Sequence, residues 1–340
     1  MSTLKWWWKA LSIIPKISKE EWDQLDVITK WLIMTRSAVT TVTIFSSIIG
    51  GLFAWRFGGF HWGLWIIMTL GLFIAHGTNN ILNDYTDYNK GVDSDNYFRS
   101  MYGPHPLVHG FHDKATQMRY FVVSGIIALA AGLYTYYATG WDFNILILIL
   151  VGAVFLLFYT FPLKYFALGE ISIFLIWGPV LIGGVFYALT GKYNSHVIWA
   201  SIPIGLSVMS INLGKHIDKL KEDKAKKVRT LPVVIGETVA RYLDIISLVL
   251  IYAIIVYLIV VKFYTPVMLL VFLAGKQLMI ALSVLTKPKP EEAPQDYPAW
   301  PIWFAGFTFM HNRRFTMLFM ASLLVDTILR VYVPNFWMYQ

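Results

Sequence analysis

The chain has 340 residues, 57% of them apolar and only 14% charged, with a net charge of +8 and no cysteine. A charge content so far below the roughly 25% of soluble domains excludes an ordinary soluble fold. The missing cysteines exclude disulfides, thiolate nucleophiles and cysteine metal sites.

The N-terminal segment MSTLKWWWKALSIIPKISKEEW lacks the smooth apolar core of a cleavable signal, and its Trp6–Trp8 run is expected at a headgroup interface. Apolar runs then recur near 31–55, 60–82, 118–139, 143–160, 170–190, 196–215, 240–261, 265–286 and 315–333. Each is long enough to approach or cross a hydrocarbon core. Barrel strands would instead alternate in short segments. The expected fold is therefore all-α, a polytopic transmembrane bundle of about nine helices. Lys and Arg are asymmetric: 22 fall in the N-terminal arm and the even-numbered loops, and four (Arg56, Lys192, Lys262, Arg330) on the opposite side. That is the positive-inside pattern. It places the N-terminus and the polar loops in the cytoplasm and reads the basic balance as topology, with anionic membrane lipid as a partner and nucleic acid not.

Hydrophilic residues concentrate in loop 84–117, in segment 216–236 and in the Pro-rich stretch KPKPEEAPQDYPAWP, 287–301. The domain reading follows: an interfacial arm over 1–30, a transmembrane domain over 31–286, a polar connector over 287–314 that includes HNRR, and a last helix with tail over 315–340.

The second run ends in NNILNDYTDYNKGVD. Asn80, Asn83, Asp84 and Asp87 have the spacing of one helix face, and Asp93 follows Gly91. Carboxylates at a helix C-terminus oppose the macrodipole and repel each other. A bound cation relieves both, and hard Mg2+ suits one or two carboxylates plus substrate phosphate. The bland alternative is a solvated helix end.

NDYTDYNKGVD resembles the first aspartate-rich motif of the UbiA family of intramembrane prenyltransferases, in particular its dihydroxynaphthoate (menaquinone-type) branch. YTFPLKYFALGE, 159–170, and RTLPVVIGE, 229–237, resemble two further family segments, and Arg36 resembles an arginine of the family's first helix, with Ser37 where proline is usual. The resemblance implies a ring of helices around a central cavity, with two acidic motifs at its cytoplasmic mouth and Mg2+ bridging them to an isoprenoid diphosphate. It makes Asp84, Asp87, Asp93, Asp218 and Asp223 candidate metal ligands, with Asp84, Asp87 and Asp223 central to catalysis. Asn80, Asn83, Tyr159, Lys164, Lys219, Arg229 and Arg36 become candidate substrate contacts.

The second motif departs from the family pattern. Asp223 keeps its seven-residue interval to Thr230, but the first aspartate position holds Lys219, with Asp218 beside it and Lys227 where glycine is usual. Either the helix opens and Asp218 swings in, or Lys219 meets the diphosphate directly as a point charge. PHPLVHG, 104–110, also replaces an arginine-containing family loop, which puts His105 and His109 near phosphate or metal. Lys276 is a further charge expected mid-helix. The implied function is Mg2+-dependent transfer of a polyprenyl group from its diphosphate to a lipophilic, aromatic quinone-precursor acceptor. The alternatives are another acceptor (a glycerolipid, a porphyrin alcohol, a phosphoribosyl group), terpene cyclisation, or a non-catalytic subunit on a degenerate fold.

Overall fold

The computed structural model describes residues 2–93, 103–295, 297, 299–333 and 337. Parts of the expected loop 84–117 and of the C-terminal tail therefore lie outside the described residues. Among the described residues all regular structure is helical: α1 Thr3–Ser12, α2 Lys19–Asp23, α3 Val27–Met34, α4 Ser37–Arg56, α5 Trp62–Asn89, α6 Lys114–Ala138, α7 Phe143–Phe158, α8 Gly169–Thr190, α9 Ser195–Asp218, α10 Leu220–Ala225, α11 Leu231–Ile235, α12 Glu237–Val260, α13 Pro266–Leu285 and α14 Phe304–Tyr332. Eight of these are long and apolar enough to cross a membrane, and α7 is a shorter apolar helix. The chain is an integral, multi-pass membrane protein.

Helix starts follow local chemistry. Asp26 accepts from Ile28 N and Thr29 N at 3.0 Å, Asp113 from Thr116 N at 2.8 Å, and Asp142 from Asn144 N at 2.8 Å. Each satisfies N–H groups that a helix leaves unpaired. The expected single first span is divided: α3 ends at Met34, and Arg36 takes a left-handed φ of 57° before α4 begins. Thr35 bridges the break by donating to Trp31 O at 2.8 Å and lying 2.8 Å from Ser37 Oγ.

Two compact units emerge, one of residues 1–45 and 63–162, the other of 46–62 and 163–340. In the first, Trp22, Ile33, Met34, Phe73 and Ile81 form a buried core, and Trp6 and Trp7 pack against it. Only Trp8 of that tryptophan run is strongly exposed, at 74%. In this unit α5 approaches α6 at Gly71, where a Cβ would lie 2.5 Å from the Ala131 methyl.

In the second unit α9 is the central, most buried span. Small residues let its neighbours close in. A Cβ at Gly205 would lie 2.5 Å from Phe174 O, and one at Gly214 would lie 2.9 Å from Ala305 N. Bare backbone at Gly214 brings the start of α14 onto the end of α9. There Asp218 accepts from Trp303 N (2.9 Å), Phe304 N (3.1 Å) and Ala305 N (3.0 Å), with Lys289 Nζ 3.5 Å away. Lys289 also donates to Pro301 O at 2.6 Å. Burial, with the Asp218 carboxylate adding to it, pushes the Tyr297 phenol up to about 12.

This contact explains two departures from expectation. The last helix starts at Phe304, not near 315, and takes HNRR into its second and third turns, because a carboxylate from α9 supplies the cap. Asp218, expected among the metal ligands, has both oxygens engaged as that cap. α9 does open at Lys219 (φ −102°, ψ 11°), but the carboxylate is held by α14. Asp218→Ala should therefore destabilise the fold by roughly 2–4 kcal/mol, since three N–H groups and an ammonium lose a buried partner. Thermal unfolding in detergent is the measurement, and an unshifted midpoint would contradict the cap.

Candidate active site

The first acidic segment ends α5. Asp84, Asp87 and Asp93 are all buried, at 1%, 5% and 6% exposure. α5 stops at Asn89, Gly91 takes φ 67°, and Val92 N donates to Asp87 O at 2.8 Å, so the chain doubles back and brings Asp93 near the helix end. His105 then approaches from the following loop with Nε2 3.0 Å from Asp93 Oδ2. One ligand atom each from Asp84, Asp93 and His105 lies within 4.8 Å of the others. Octahedral bonds of about 2.1 Å put neighbouring donors about 3 Å apart, so a modest closure makes a cation site from two carboxylates and an imidazole. Arg36, turned by its left-handed backbone, places Nη2 3.3 Å from Asp84 Oδ1. Asn80 donates to Thr35 O at 2.8 Å, tying α5 to the break that presents Arg36. Asn83 is half-buried. His109 Nδ1 accepts from His105 N at 3.0 Å, so this second histidine shapes the turn that carries the first.

The second segment spans the end of α9, α10 and the start of α11. Lys219 Nζ sits 3.6 Å from Asp223 Oδ1, and Thr230 Oγ1 donates to Asp223 Oδ2 at 3.5 Å. The seven-residue Asp–Thr interval thus corresponds to a turn closed on itself. Val228 N also donates to Asp223 O at 2.9 Å. Lys227 accepts a left-handed φ of 58° there, the conformation that makes glycine usual at such a position. Asp223 is 3% exposed, whereas Arg229 is exposed. Lys164 is buried in a short 3-10 turn, Leu163–Phe166, with its ammonium 5.8 Å from the Tyr165 ring centroid. Tyr159 is the half-buried residue that ends α7.

One pairing was not legible in the sequence. His216 Nδ1 donates to Glu170 Oε1 at 2.6 Å, with both side chains almost fully buried, and Asn212 Nδ2 lies 3.5 Å from the same nitrogen. His216 shares a helix face with Asn212, but nothing in the sequence links it to a carboxylate 46 residues earlier.

The chain can now be set beside known proteins. The model of the UbiA prenyltransferase family matches residues 44–312. A curated relative, the 1,4-dihydroxy-2-naphthoate octaprenyltransferase of Bacillus subtilis (strain 168), is 27% identical over 244 residues, 71% of this chain and 77% of the relative. Among solved structures, an apo UbiA homologue from Aeropyrum pernix K1 aligns with TM-score 0.63 at 16% identity, covering 84% of this chain and 97% of that one. A UbiA homologue from Archaeoglobus fulgidus bound to DMAPP and Mg2+ aligns with TM-score 0.54 at 14% identity, covering 88% and 99%. With a helical fold shared with these structures and a family match over most of its length, this chain belongs to the UbiA prenyltransferase family.

Proposed function

We propose that this protein transfers a polyprenyl group from its diphosphate to an aromatic quinone-precursor acceptor, with Mg2+ as cofactor. The observation that carries the reading is the buried group Asp84, Asp93 and His105, with Arg36 against Asp84, at the end of a membrane-spanning helix. Buried carboxylates gathered so closely are costly unless a cation or a charged partner joins them. The donor set fits a hard divalent ion through the two carboxylates, with Asp87 one turn away and the remaining positions open to phosphate and water. When bound, Mg2+ supplies Lewis-acid neutralisation of the leaving diphosphate.

The chain's own residues supply the rest. Asp84 and Asp93 would hold the metal end of the donor, with Arg36 fixing the Asp84 carboxylate. In the second segment Asp223 would be the carboxylate that holds metal, and Lys219, already paired with it, offers a point charge to diphosphate oxygens. Arg229 and Lys164 add basic charge on the flanking segments, Tyr159 a phenol, and Asn80 and Asn83 amide groups. As the allylic C–O bond breaks, its electron pair leaves with the diphosphate. The apolar helices keep water from the carbocation until the acceptor ring attacks it, and the ring carbon that forms the new bond then releases its proton to solvent, restoring aromaticity.

The naphthoate octaprenyltransferase relative supports an aromatic acceptor, and the homologue bound to DMAPP and Mg2+ supports an allylic diphosphate donor. The lysine and arginine distribution supports a cytoplasmic N-terminus and cytoplasmic acidic segments.

Asp84→Asn keeps size and loses the charge that Mg2+ needs. Prenyl transfer to a hydroxynaphthoate should fall below about 1% of the parent rate, since even outer-shell metal partners are worth about 10–100-fold. Circular dichroism should be unchanged. Retained activity at low Mg2+ would remove the metal-bound diphosphate from the mechanism.

Lys219→Ala tests the altered second segment. Loss of a charge-assisted contact costs roughly 1.5–3 kcal/mol, about one to two decades in affinity. Diphosphate binding measured by calorimetry should weaken by that factor. Parent-like affinity would reduce Lys219 to a counter-charge for Asp223.

A further inference from the structure

The HNRR segment has no role in the chemistry above, and its placement is unusual. Inside α14, His311 is buried and Asn312 half-buried, while Arg313 and Arg314 are exposed. The exposed stripe they occupy is otherwise apolar: Phe309, Met310 and Met317 flank them, and Leu324, Val325 and Ile328 continue it. The opposite stripe, with Phe304, Thr308, His311, Phe315 and Phe319, is the buried one. Two adjacent arginines therefore stand on an exposed, otherwise apolar face of a helix long and apolar enough to cross a membrane, and neither has a hydrogen-bond or ion-pair partner among the described residues.

The helix cannot turn to hide them. Its start is fixed by Asp218, Asn312 Nδ2 donates to Ser207 Oγ at 2.6 Å, and His311 Nε2 is hydrogen-bonded to the Tyr252 hydroxyl at 2.9 Å. Depth follows from length. α14 has 29 residues, about 43 Å, and so exceeds a hydrocarbon core of about 30 Å. With Arg330 near the far boundary, the excess lies at the N-terminal end. There Tyr297, Trp300, Trp303 and Phe307 cluster, with Tyr297 and Trp303 centroids 5.1 Å apart, in the manner of an interfacial aromatic belt. Arg313 and Arg314 fall just inside the headgroup level on that side. Helical side chains lean toward the N-terminus, so both guanidinium groups reach up toward phosphate, not down into acyl chains.

We propose that Arg313 and Arg314 form a binding site for the phosphate of an anionic phospholipid in the leaflet at the N-terminal end of α14. The guanidinium fork matches phosphate oxygens, and Phe309, Met310 and Met317 offer the acyl chains an apolar bed. A zwitterionic lipid presents the same phosphate beside its own cation and so gains less.

The test uses the full chain in detergent micelles, titrated with phosphatidylglycerol or phosphatidylcholine, with native mass spectrometry and thermal shift as readouts. The parent should retain phosphatidylglycerol preferentially and gain thermal stability from it. Arg313→Gln/Arg314→Gln should bind phosphatidylglycerol at least about tenfold more weakly, with an unchanged phosphatidylcholine profile. Mg2+-dependent diphosphate binding should be unaffected, which certifies the fold. Arg313→Lys/Arg314→Lys should fall between the two. Equal phosphatidylglycerol affinity in the parent and the Gln variant would overturn the site, and full affinity in the Lys variant would leave only diffuse charge. Displacement of phosphatidylglycerol by polyprenyl diphosphate through these same arginines would make the prenyl donor the occupant and overturn the phospholipid assignment.

Discussion

A buried interior offers few hydrogen bonds, and that constraint shapes what several of this chain's buried carboxylates do. Backbone N–H groups, a basic partner or a cation each offset the cost of burying an acid. Asp218 takes the first solution, with three N–H groups of α14 and Lys289 beside it. Asp326 takes a similar one further along α14, accepting from Thr265 N at 2.6 Å with Arg56 at 3.5 Å. Both acids anchor α14 within the second unit. Asp84, Asp93 and Asp223 differ in that their ionic partners are side chains: Arg36 beside Asp84, His105 beside Asp93, and Lys219, with the Thr230 hydroxyl, beside Asp223.

The departures from the family pattern in the second acidic segment fit this division. The position after Asp218 would carry the first motif aspartate. In this chain the acid has moved one residue earlier, which turns it about 100° around a helix, onto α14 instead of the Asp223 side. Lys219 then occupies the vacated direction, one turn from Asp223. The cost is one fewer carboxylate beside Asp223, and the gain is a capped last helix. A bare backbone at Gly214 is a condition of the same contact, since any side chain there meets Ala305. The two features work as one device, although they are four residues apart in the sequence and the cap itself spans 85 to 87 residues.

That anchoring has a consequence at the surface. A helix free to rotate would bury or submerge Arg313 and Arg314, but one held at Asp218, Ser207 and Tyr252 presents them to lipid. The buried polar contacts that keep α14 in register also oblige its outer face to find an anionic partner. Membrane recognition and internal packing are thus coupled through the orientation of one helix.

Sequence by itself determined the membrane class, the approximate spans, the acidic cluster at the end of α5 and the Asp223–Thr230 interval. These are local properties: hydropathy over about 20 residues, helical spacing and short motifs. Only tertiary structure decided which acid caps a distant helix and which pairs with basic side chains. The Asp218 cap joins α9 to α14, the Glu170–His216 pair joins α8 to α9, and His105 reaches Asp93 across a loop. Each depends on a partner distant in the chain, and periodicity carries no information about partners. The same reason explains the start of α14. Read alone, HNRR looks like the end of a polar connector. It is helical because an acid some 85 residues earlier supplies the cap that its own segment lacks.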